Sequence, residues 1–419
     1  MSLHSIRVSL LALAAAIILA ACGGSSSSPP APPEGGLSLV PGDSQITVSW
    51  KETPGVEYWI FAAPNNAALN INNWLPTLGS TYRLKVTSPF IVSGLSNGTP
   101  YSFFMTGRIN GGAGGPSTPT VNATPRLAGT DWTPGVTLNT GGQTGLSYGS
   151  YIDTATNTSK SMYLAVGRGG LMSKASSVDA WSAITPVVTS HLNSATYGFT
   201  KYIAAGDSGQ IIYSTDLQTW NKATSATTQN LNAVAASGSY VVAVGNNGSI
   251  VTSKDAITWT AATSVPTSSN LYGVVYTGSG TWIAVGEKGT LLTSSDGATW
   301  TLQTTNAPDD LKAAGALSSI TNSVTTYTYV AVGANGTILS SSDAITWTVR
   351  SAEPKVNLND LSAVNQFTAV GAGGTILTSS DGISWTSRVN SNPTELKTIF
   401  RAENQYIAVN SAGGLLISK

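Results

Sequence analysis

The stretch Gly209-Gln-Ile-Ile-Tyr-Ser-Thr-Asp216-Leu-Gln-Thr-Trp220 aligns without a gap with four other stretches of the chain. The other copies occupy residues 248–259, 289–300, 336–347 and 374–385, and each ends in Ser-x-Asp-x-x-x-Trp. An apolar run ending in glycine precedes each copy, as in Tyr329-Val-Ala-Val-Gly333. Short β-branched runs between turn residues predict strands, and recurrence about every 40 residues predicts a repeat architecture.

The aspartate of each copy is predicted to hold the fold. A Ser and an Asp in a tight hairpin can accept backbone N–H groups that the turn leaves unpaired, and the tryptophan can pack over the hairpin. Five equivalent acids in five repeats also cannot all face one substrate. We therefore expect structural roles, and no catalytic role, for Asp216, Trp220, Asp255, Trp259, Asp296, Trp300, Asp343, Trp347, Asp381 and Trp385.

Two series of residues count the repeats. Glycines that end the second strand of each unit stand at 167, 206, 245, 286, 333 and 371, with Asn410 in the seventh place. Tryptophans stand at 132, 181, 220, 259, 300, 347 and 385. The first unit is degenerate, with Ser177 in the place of the Asp, and the last stops at Ser418-Lys419. We expect a strand containing Trp132 to complete the last unit and close a ring.

The repeats closely resemble the Asp-box, also called the bacterial neuraminidase repeat. The spacing Gly-x-x-Gly-x-Ile/Leu-x-x-Ser-x-Asp-(Gly/Ala)-x-x-Trp, with a preceding Ala-Val-Gly, is most similar to propellers of the photosystem II assembly factor type. The resemblance implies a seven-bladed β-propeller over residues 128–419, closed by its N-terminal strand. It also implies a binding scaffold without enzymatic activity, which we expect to be monomeric.

Sialidase is the enzyme to weigh against this reading. It needs an arginine triad, a Tyr–Glu nucleophile pair and an acidic Asp, whereas the repeats contain only Arg168, Arg350, Arg388 and Arg401. His4 lies in the N-terminal segment and His191 stands alone, so little is present for metal chemistry. We expect no catalytic residues, no metal and no cofactor. A glycan-active enzyme with an unrecognised site remains an alternative.

The first residues predict export and lipid anchoring. Arg7 precedes the apolar run 8–21, and Leu19-Ala-Ala-Cys22 resembles the lipobox of bacterial lipoproteins. This resemblance implies a signal peptide over 1–21 and acylation of Cys22, the single cysteine, which would anchor the chain to a membrane. Gly23 and Gly24 favour the outer membrane of a bacterial envelope. Residues 22–36 are rich in Gly, Ser and Pro, which predicts a tether.

Residues 37–126 predict a β-sandwich. Short alternating runs, such as Gln45-Ile-Thr-Val-Ser-Trp50, are separated by Pro, Gly and Asn. The segment Leu95-Ser-Asn-Gly-Thr-Pro-Tyr101 resembles the tyrosine corner of fibronectin type III domains, and Trp50 stands where that family places a core tryptophan. The whole chain is therefore predicted to be all-β, with a fibronectin type III domain followed by the propeller.

A possible binding face follows from polar residues that precede the leucine beginning each inner strand. These are His191, Asn230, Asn270, Asp310, Asp360 and Glu395. A ring of them at the channel mouth would suit a cation, a sugar or a basic peptide, but they would equally serve as turn caps. With 20 basic and 20 acidic residues, the chain lacks the basic field that nucleic acid requires. The remaining hypotheses are a protein- or glycan-binding scaffold, an assembly factor for an envelope complex, and a glycan-active enzyme.

Overall fold

The chain divides into two units in a computed structural model. The N-terminal unit is Met1–Ala128 with Lys419, and the C-terminal unit is Gly129–Ser418. The structure describes residues 29–64, 79–138, 142–153, 155–351, 353–390 and 392–419. The signal segment, His4, Cys22 and most of the tether lie outside them. Regular structure in the described residues consists of β-strands and short 3-10 helices, so the chain is nearly all β.

The N-terminal unit contains two antiparallel sheets. One has the order β1-β2-β5 and the other β4-β3-β6-β7. The strands are β1 (Ser38–Gly42), β2 (Gln45–Ser49), β3 (Glu57–Pro64), β4 (Thr81–Val86), β5 (Phe90–Ser93), β6 (Tyr101–Arg108) and β7 (Val121–Ala123).

The core of this unit follows from alternation along the strands. Ile46 and Val48 of β2 point inward, as do Tyr58 and Ile60 of β3, because successive side chains of a strand face opposite sides. Trp50 meets the Tyr58 ring edge-on, with 5.6 Å between ring centroids. The Tyr101 hydroxyl accepts a hydrogen bond from the Ser96 backbone N–H at 3.1 Å, across the predicted corner.

In the described part of the C-terminal unit, seven four-stranded antiparallel sheets follow one another, numbered here sheets 1 to 7. Sheets 1 to 3 comprise β9 (Gln143–Asp153), β10 (Thr158–Gly167), β11 (Met172–Ala175), β12 (Trp181–Ile184); β13 (Leu192–Gly198), β14 (Lys201–Gly206), β15 (Ile211–Ser214), β16 (Asn221–Lys222); and β17 (Leu231–Ala236), β18 (Val241–Gly245), β19 (Ile250–Ser253), β20 (Thr260–Ala261).

Sheets 4 to 7 repeat the same plan. They comprise β21 (Leu271–Tyr276), β22 (Trp282–Gly286), β23 (Leu291–Ser294), β24 (Thr301–Leu302); β25 (Leu311–Thr321), β26 (Val324–Gly333), β27 (Thr337–Ser341), β28 (Thr348–Ser351); β29 (Leu358–Val364), β30 (Gln366–Gly371), β31 (Ile376–Ser379), β32 (Thr386–Ser387); and β33 (Leu396–Ala402), β34 (Gln405–Asn410), β35 (Gly414–Ser418) with β8 (Thr133–Thr137).

The sheets pack face to face through apolar side chains. Second strands such as Val241–Gly245 are buried along their whole length because a neighbouring sheet covers each face. One cluster joins Ile407 and Ile417 of sheet 7 to Leu146 and Tyr163 of sheet 1. The innermost strands also contact one another in order, from β9 through β33 and back to β9. The seven sheets therefore form a closed ring.

The last sheet is completed by residues from the other end of the unit. Strand β8 pairs antiparallel with β35, with Ile417 opposite Thr133. Trp132 lies one residue before this strand rather than within it. Its indole N–H donates to the Gly129 carbonyl at 3.1 Å, as Trp300 does to Gly297 in sheet 4. Trp132 thus takes the box position of sheet 7.

Candidate functional site

The candidate site lies at the end of the sheets where each second strand stops. A three-residue 3-10 turn follows there in sheets 1 to 6, and we call this end the turn face. The turns are Arg168–Gly170, Asp207–Gly209, Asn246–Gly248, Glu287–Gly289, Ala334–Gly336 and Ala372–Gly374. In each, the backbone geometry is nearly the same and the middle residue has a positive φ, as at Ser208 (φ 57°).

Backbone crowding explains the Gly-x-x-Gly spacing. A Cβ added to Gly206 would lie 1.9 Å from the His191 carbonyl oxygen, and one added to Gly209 would lie 1.9 Å from that of Thr227. Gly209 also has a φ of +69°, which favours glycine. The glycines therefore fix the turn, while the two residues between them are free to vary.

Four of the six predicted face residues serve as caps between sheets. The His191 Nδ1 accepts the Gly169 N–H at 2.8 Å, and Asn230 Oδ1 accepts that of Ser208 at 2.9 Å. The carboxamide of Asn270 and the carboxylate of Asp310 accept the middle N–H of the preceding turn at 3.0 Å in both cases. Each side chain thus fastens the turn of the preceding sheet.

The structure corrects the placement of Asp360. It lies inside β29, and the cap position of sheet 6 belongs to Asn357, whose Oδ1 accepts the Asn335 N–H at 3.1 Å. The carboxylate of Asp360 instead joins sheets 6 and 7 by accepting from Thr398 Oγ1 at 2.7 Å and Ile399 N–H at 2.9 Å. Burial raises the pKa of Asp360 despite these hydrogen bonds.

Glu395 belongs to the turn face but has different partners. It forms an ion pair with Lys397 at 2.8 Å and accepts the Asn359 amide N–H at 2.9 Å. The hydrogen bond from Lys397 lowers the pKa of Glu395 below its usual value. The carboxylate is consequently ionised and oriented.

A second ring of side chains on this face was not predicted from the sequence. Each of its residues comes directly after the first paired residue of an inner strand. We call these the clasp positions: Thr144, Asn193, Asn232, Tyr272, Lys312, Asn359 and Lys397. In four sheets the side chain donates to the equivalent backbone carbonyl of the next sheet. These bonds are Thr144 to Leu192 (2.8 Å), Asn193 to Leu231 (3.0 Å), Asn232 to Leu271 (2.8 Å) and Asn359 to Leu396 (2.7 Å).

Tyr272 and Lys312 form a charged cluster with Asp310 on this face. The Lys312 ammonium lies 3.5 Å from the centre of the Tyr272 ring and 3.1 Å from the Asp310 carboxylate. Partial burial raises the pKa of Asp310, but hydrogen bonds from the Lys288 N–H and from Lys312 outweigh it, so the pKa is lowered. Partial burial raises the pKa of the Tyr272 hydroxyl, and the Asp310 charge adds to this effect.

The box aspartates lie in turns at the other end of the third strands, away from the turn face. In all five boxes the Asp Oδ1 accepts two backbone N–H groups at 2.7–2.9 Å. The box serine also donates to it, as Ser341 does to Asp343 at 2.9 Å. Backbone N–H donors lower the pKa of Asp343 to about 2. The pKa values of Asp216, Asp255, Asp296 and Asp381 are lowered too.

The box tryptophans pack between sheets. Trp259, Trp300 and Trp347 are buried, while Trp220 and Trp385 are half-buried against the adjoining clusters. The indole N–H of Trp300 donates to the Gly297 carbonyl at 3.1 Å, and Trp347 does the same to Ala344 at 3.1 Å. In these two boxes the indole N–H is satisfied within the box, whereas the indole nitrogens of Trp220, Trp259 and Trp385 are buried without a hydrogen-bond partner.

The structure contains a hydrogen-bonded Tyr–Glu pair, which is one of the elements that the sialidase alternative requires. Tyr148 of sheet 1 donates a hydrogen bond to Glu403, which follows the first strand of sheet 7. Burial, followed by the hydrogen bond to Glu403, raises the pKa of Tyr148. The four arginines lie on or beside sheets 1, 5, 6 and 7. Arg350 and Arg388 donate through Nε to Ser340 and Thr378, at 2.9 and 2.8 Å.

The described residues contain no cluster of three or more His, Cys, Asp or Glu side chains placed to hold a metal ion. They also contain no helix with the length and apolarity needed to cross a membrane.

Solved structures with a similar fold are β-propellers. YCF48 bound to D1 peptide matches with a TM-score of 0.53 and 20% identity, over 68% of this chain and 96% of that one. YCF48 from Cyanidioschyzon merolae matches with a TM-score of 0.51 and 17% identity, over 68% and 98%. Virginiamycin B lyase from Staphylococcus aureus matches with a TM-score of 0.56 and 10% identity, over 69% and 99%. No protein-family model and no curated protein matches the sequence. The likeness shows a β-propeller fold resembling that of the photosystem II assembly factor.

Proposed function

We propose that the chain is a non-enzymatic binding or scaffold lipoprotein, anchored through Cys22 in the bacterial envelope, whose propeller loops bind a protein or glycan. The observation that carries this proposal is the turn face. Its backbone is repeated in six sheets and fixed by caps in five of them, whereas the exposed middle residue changes from Ser208 to Asn247 to Lys288. A constant scaffold with variable exposed side chains is suited to recognition.

In this proposal the seven sheets are seven blades of one propeller, and β8 completes the last blade. Residues 37–126 form a fibronectin type III domain that, with the tether, holds the propeller away from the membrane. The two-sheet arrangement and the Ser96–Tyr101 hydrogen bond support that assignment. The outer membrane remains the favoured location on the basis of Gly23 and Gly24.

Local use of the conspicuous acids supports a role without chemistry. The five box carboxylates accept backbone N–H groups, and lowered pKa values keep them ionised, so they are poor proton donors at neutral pH. Asp310 and Glu395 on the turn face are ion-paired.

An assembly factor for an envelope membrane complex is the second candidate. The similar structure of YCF48 holds a D1 peptide, which favours a protein segment as the ligand of a propeller of this type. The low identity transfers no partner to this chain.

Site-specific photo-crosslinking tests the proposal. A photoreactive residue at Asn335, in the turn after β26, is expected to capture a partner in envelope preparations. The same residue at Val324, at the opposite end of β26, serves as the matched control. A stoichiometric membrane complex would favour the assembly role, and isolated polysaccharide would favour the scaffold role. Turnover of a sialoside or glucan by the purified chain would overturn the non-enzymatic reading.

A separate fractionation experiment tests the anchor. Cys22→Ala is expected to move the protein from the membrane fraction to the soluble fraction, with Ser26→Ala as the control. Retention of Cys22→Ala in the membrane fraction after a high-salt wash would contradict lipid anchoring.

A further inference from the structure

The clasp positions divide the turn face into regular and irregular parts. In sheets 1, 2, 3 and 6, Thr or Asn donates to the next sheet. In sheets 4, 5 and 7, larger side chains stand at this position, namely Tyr272, Lys312 and Lys397. Because sites that break a local rule of a repeated fold are often functional, the second set needs an explanation beyond stability.

Each substituted lysine is oriented by an acid two residues before it. Lys312 contacts Asp310 at 3.1 Å, and Lys397 contacts Glu395 at 2.8 Å. The two lysine side chains are only about one-third exposed, at 29% and 34%. An ammonium group has three N–H donors, so the acid occupies part of its capacity and leaves donors for a ligand.

The charges of the turns, caps and clasp positions cancel. These positions contain four basic side chains, which are Arg168, Lys288, Lys312 and Lys397. They contain four acidic ones, which are Asp207, Glu287, Asp310 and Glu395. Three of the lysines have acidic neighbours. Asp309, which accepts hydrogen bonds from Asn335 and Thr337 beside the turn of sheet 5, adds one more acid, so the face offers no basic field to an acidic ligand.

The same positions carry no apolar anchor. Among the turns, the caps and the clasp positions there is no Val, Leu, Ile, Met, Phe or Trp, and asparagine is the commonest polar residue. Tight protein interfaces usually centre on buried aromatic or aliphatic side chains. Most of the asparagine amides are already hydrogen-bonded as caps or clasps. The groups left for a ligand are the exposed turn residues, the oriented lysines and one tyrosine, which suit a ligand rich in hydroxyl groups.

We propose that the turn face over sheets 4 to 7 binds an uncharged oligosaccharide, with Lys312 and Lys397 donating hydrogen bonds to its oxygens. Asp310 and Glu395 orient the two lysines, and the Asn359 amide holds Glu395. Tyr272, with Lys312 over one face of its ring, supplies the aromatic surface at these positions. This inference rests on the proposed binding function and deepens it by naming the ligand class. An apolar peptide lacks an anchor here, and an acidic polymer would have to compete with the acids that hold the lysines.

The test uses the full-length protein in detergent and uncharged hexasaccharides of glucose, mannose and N-acetylglucosamine as probes. Binding is measured by calorimetry and by saturation-transfer NMR. Lys312→Asn and Lys397→Asn place the residue of sheets 2, 3 and 6 at these positions, so both variants are expected to fold. Each is expected to weaken binding of the responsive hexasaccharide at least tenfold. Arg350→Asn, on an outer strand, is the matched control and should bind like the parent.

Three results would overturn the inference. They are the absence of binding by all three hexasaccharides at millimolar concentration, binding unchanged in both lysine variants, and preferential binding of polygalacturonate or of a peptide pool. The proposed scaffold function would survive each of them if crosslinking from Asn335 still captured a protein. If neither crosslinking nor any hexasaccharide gave a partner, both proposals would fail together.

Discussion

The hydroxyl of Ser418 accepts a hydrogen bond from the Gly129 backbone N–H at 2.7 Å, although 289 residues separate them in sequence. Within the intact boxes the same bond is local, as between Ala344 N–H and Ser341 Oγ at 2.9 Å. The box of sheet 7 is therefore assembled from two distant parts of the chain. Ala128 occupies the sequence position of the aspartate, so this box has no carboxylate there.

Ser418→Ala should weaken the closure of sheet 7. Loss of the acceptor leaves a buried N–H without its partner, so the free energy of unfolding is expected to fall by about 1–3 kcal/mol. Urea unfolding followed by tryptophan fluorescence measures the change. Ser319→Ala, at an exposed position of β25, is the control and should stay within about 0.5 kcal/mol of the parent. Equal effects of the two substitutions would argue against the split box.

The box aspartates should make the C-terminal unit sensitive to acid. Because the pKa of Asp343 is lowered to about 2 in the folded state, its contribution is present above its unfolded pKa near 4. That contribution is lost as the pH falls from about 4 to about 2. Asp343→Asn is expected to unfold more easily at pH 7 and to lose less stability on acidification. Equilibrium unfolding at pH 7 and at several acidic pH values tests both effects.

Asp360 should make the folded state less stable as the pH rises, which is opposite to the effect of the box aspartates. Burial raises its folded pKa, so its stabilising effect is complete below the unfolded pKa and disappears as the pH rises through the folded value. Asp360→Asn mimics the protonated state, and its unfolding free energy should change less between pH 4 and 7 than that of the parent. Asp360→Ala removes the acceptor of Thr398 and Ile399, and should cost about 1–3 kcal/mol at either pH. A parent-like pH slope for Asp360→Asn would contradict this assignment.

Two substitutions at the clasp positions should change the free energy of unfolding in opposite directions. Asn232→Ala removes the bond to the Leu271 carbonyl and should lower the free energy of unfolding by about 1 kcal/mol. Lys312→Asn introduces the same donor between sheets 5 and 6, and should raise it by about 0.5–1 kcal/mol. Thermal unfolding of both variants beside the parent provides the measurement. Destabilisation by Lys312→Asn would mean that the Lys312–Asp310–Tyr272 cluster itself holds the sheets together.

Glycine spacing gives a steric prediction. A Cβ on Gly245 would lie 1.9 Å from the Asn230 carbonyl oxygen, so Gly245→Ala should destabilise the chain by more than about 2 kcal/mol. Gly238→Ala is the control because no atom lies within 4 Å of its added Cβ. Comparable melting temperatures for the two variants would show that the turn can shift at little cost.

Much of the C-terminal unit was predictable because each repeat carries strong local marks. The second strands end at the expected glycines and at Asn410. In the first six sheets the residue is glycine because a Cβ there would meet a neighbouring carbonyl, as at Gly206 and Gly245. The box hydrogen bonds are also local, extending two or three residues from each Asp. Such short-range geometry can be read directly from residue type and spacing.

The turn face was predicted less well because its contacts join different sheets. Leu358 and Leu361 both follow a polar residue, and only pairing of Leu358 with Gly371 shows that Asn357, not Asp360, occupies the cap position. The clasp residues resemble ordinary strand residues in sequence, and their acceptors lie about one repeat away. The Tyr148–Glu403 hydrogen bond joins residues from sheets 1 and 7, and no local pattern marks it.

The pairing of β8 with β35 also imposes an order of events on biosynthesis. Residues 133–137 emerge early, but their partner is complete only when Ser418 has left the ribosome. Sheets 1 to 6 can form in the meantime, whereas β8 must wait with its backbone unpaired. Loop-closure entropy makes this last, long-range pairing slow. A chain cut before residue 414 would therefore keep β8 without its partner strand.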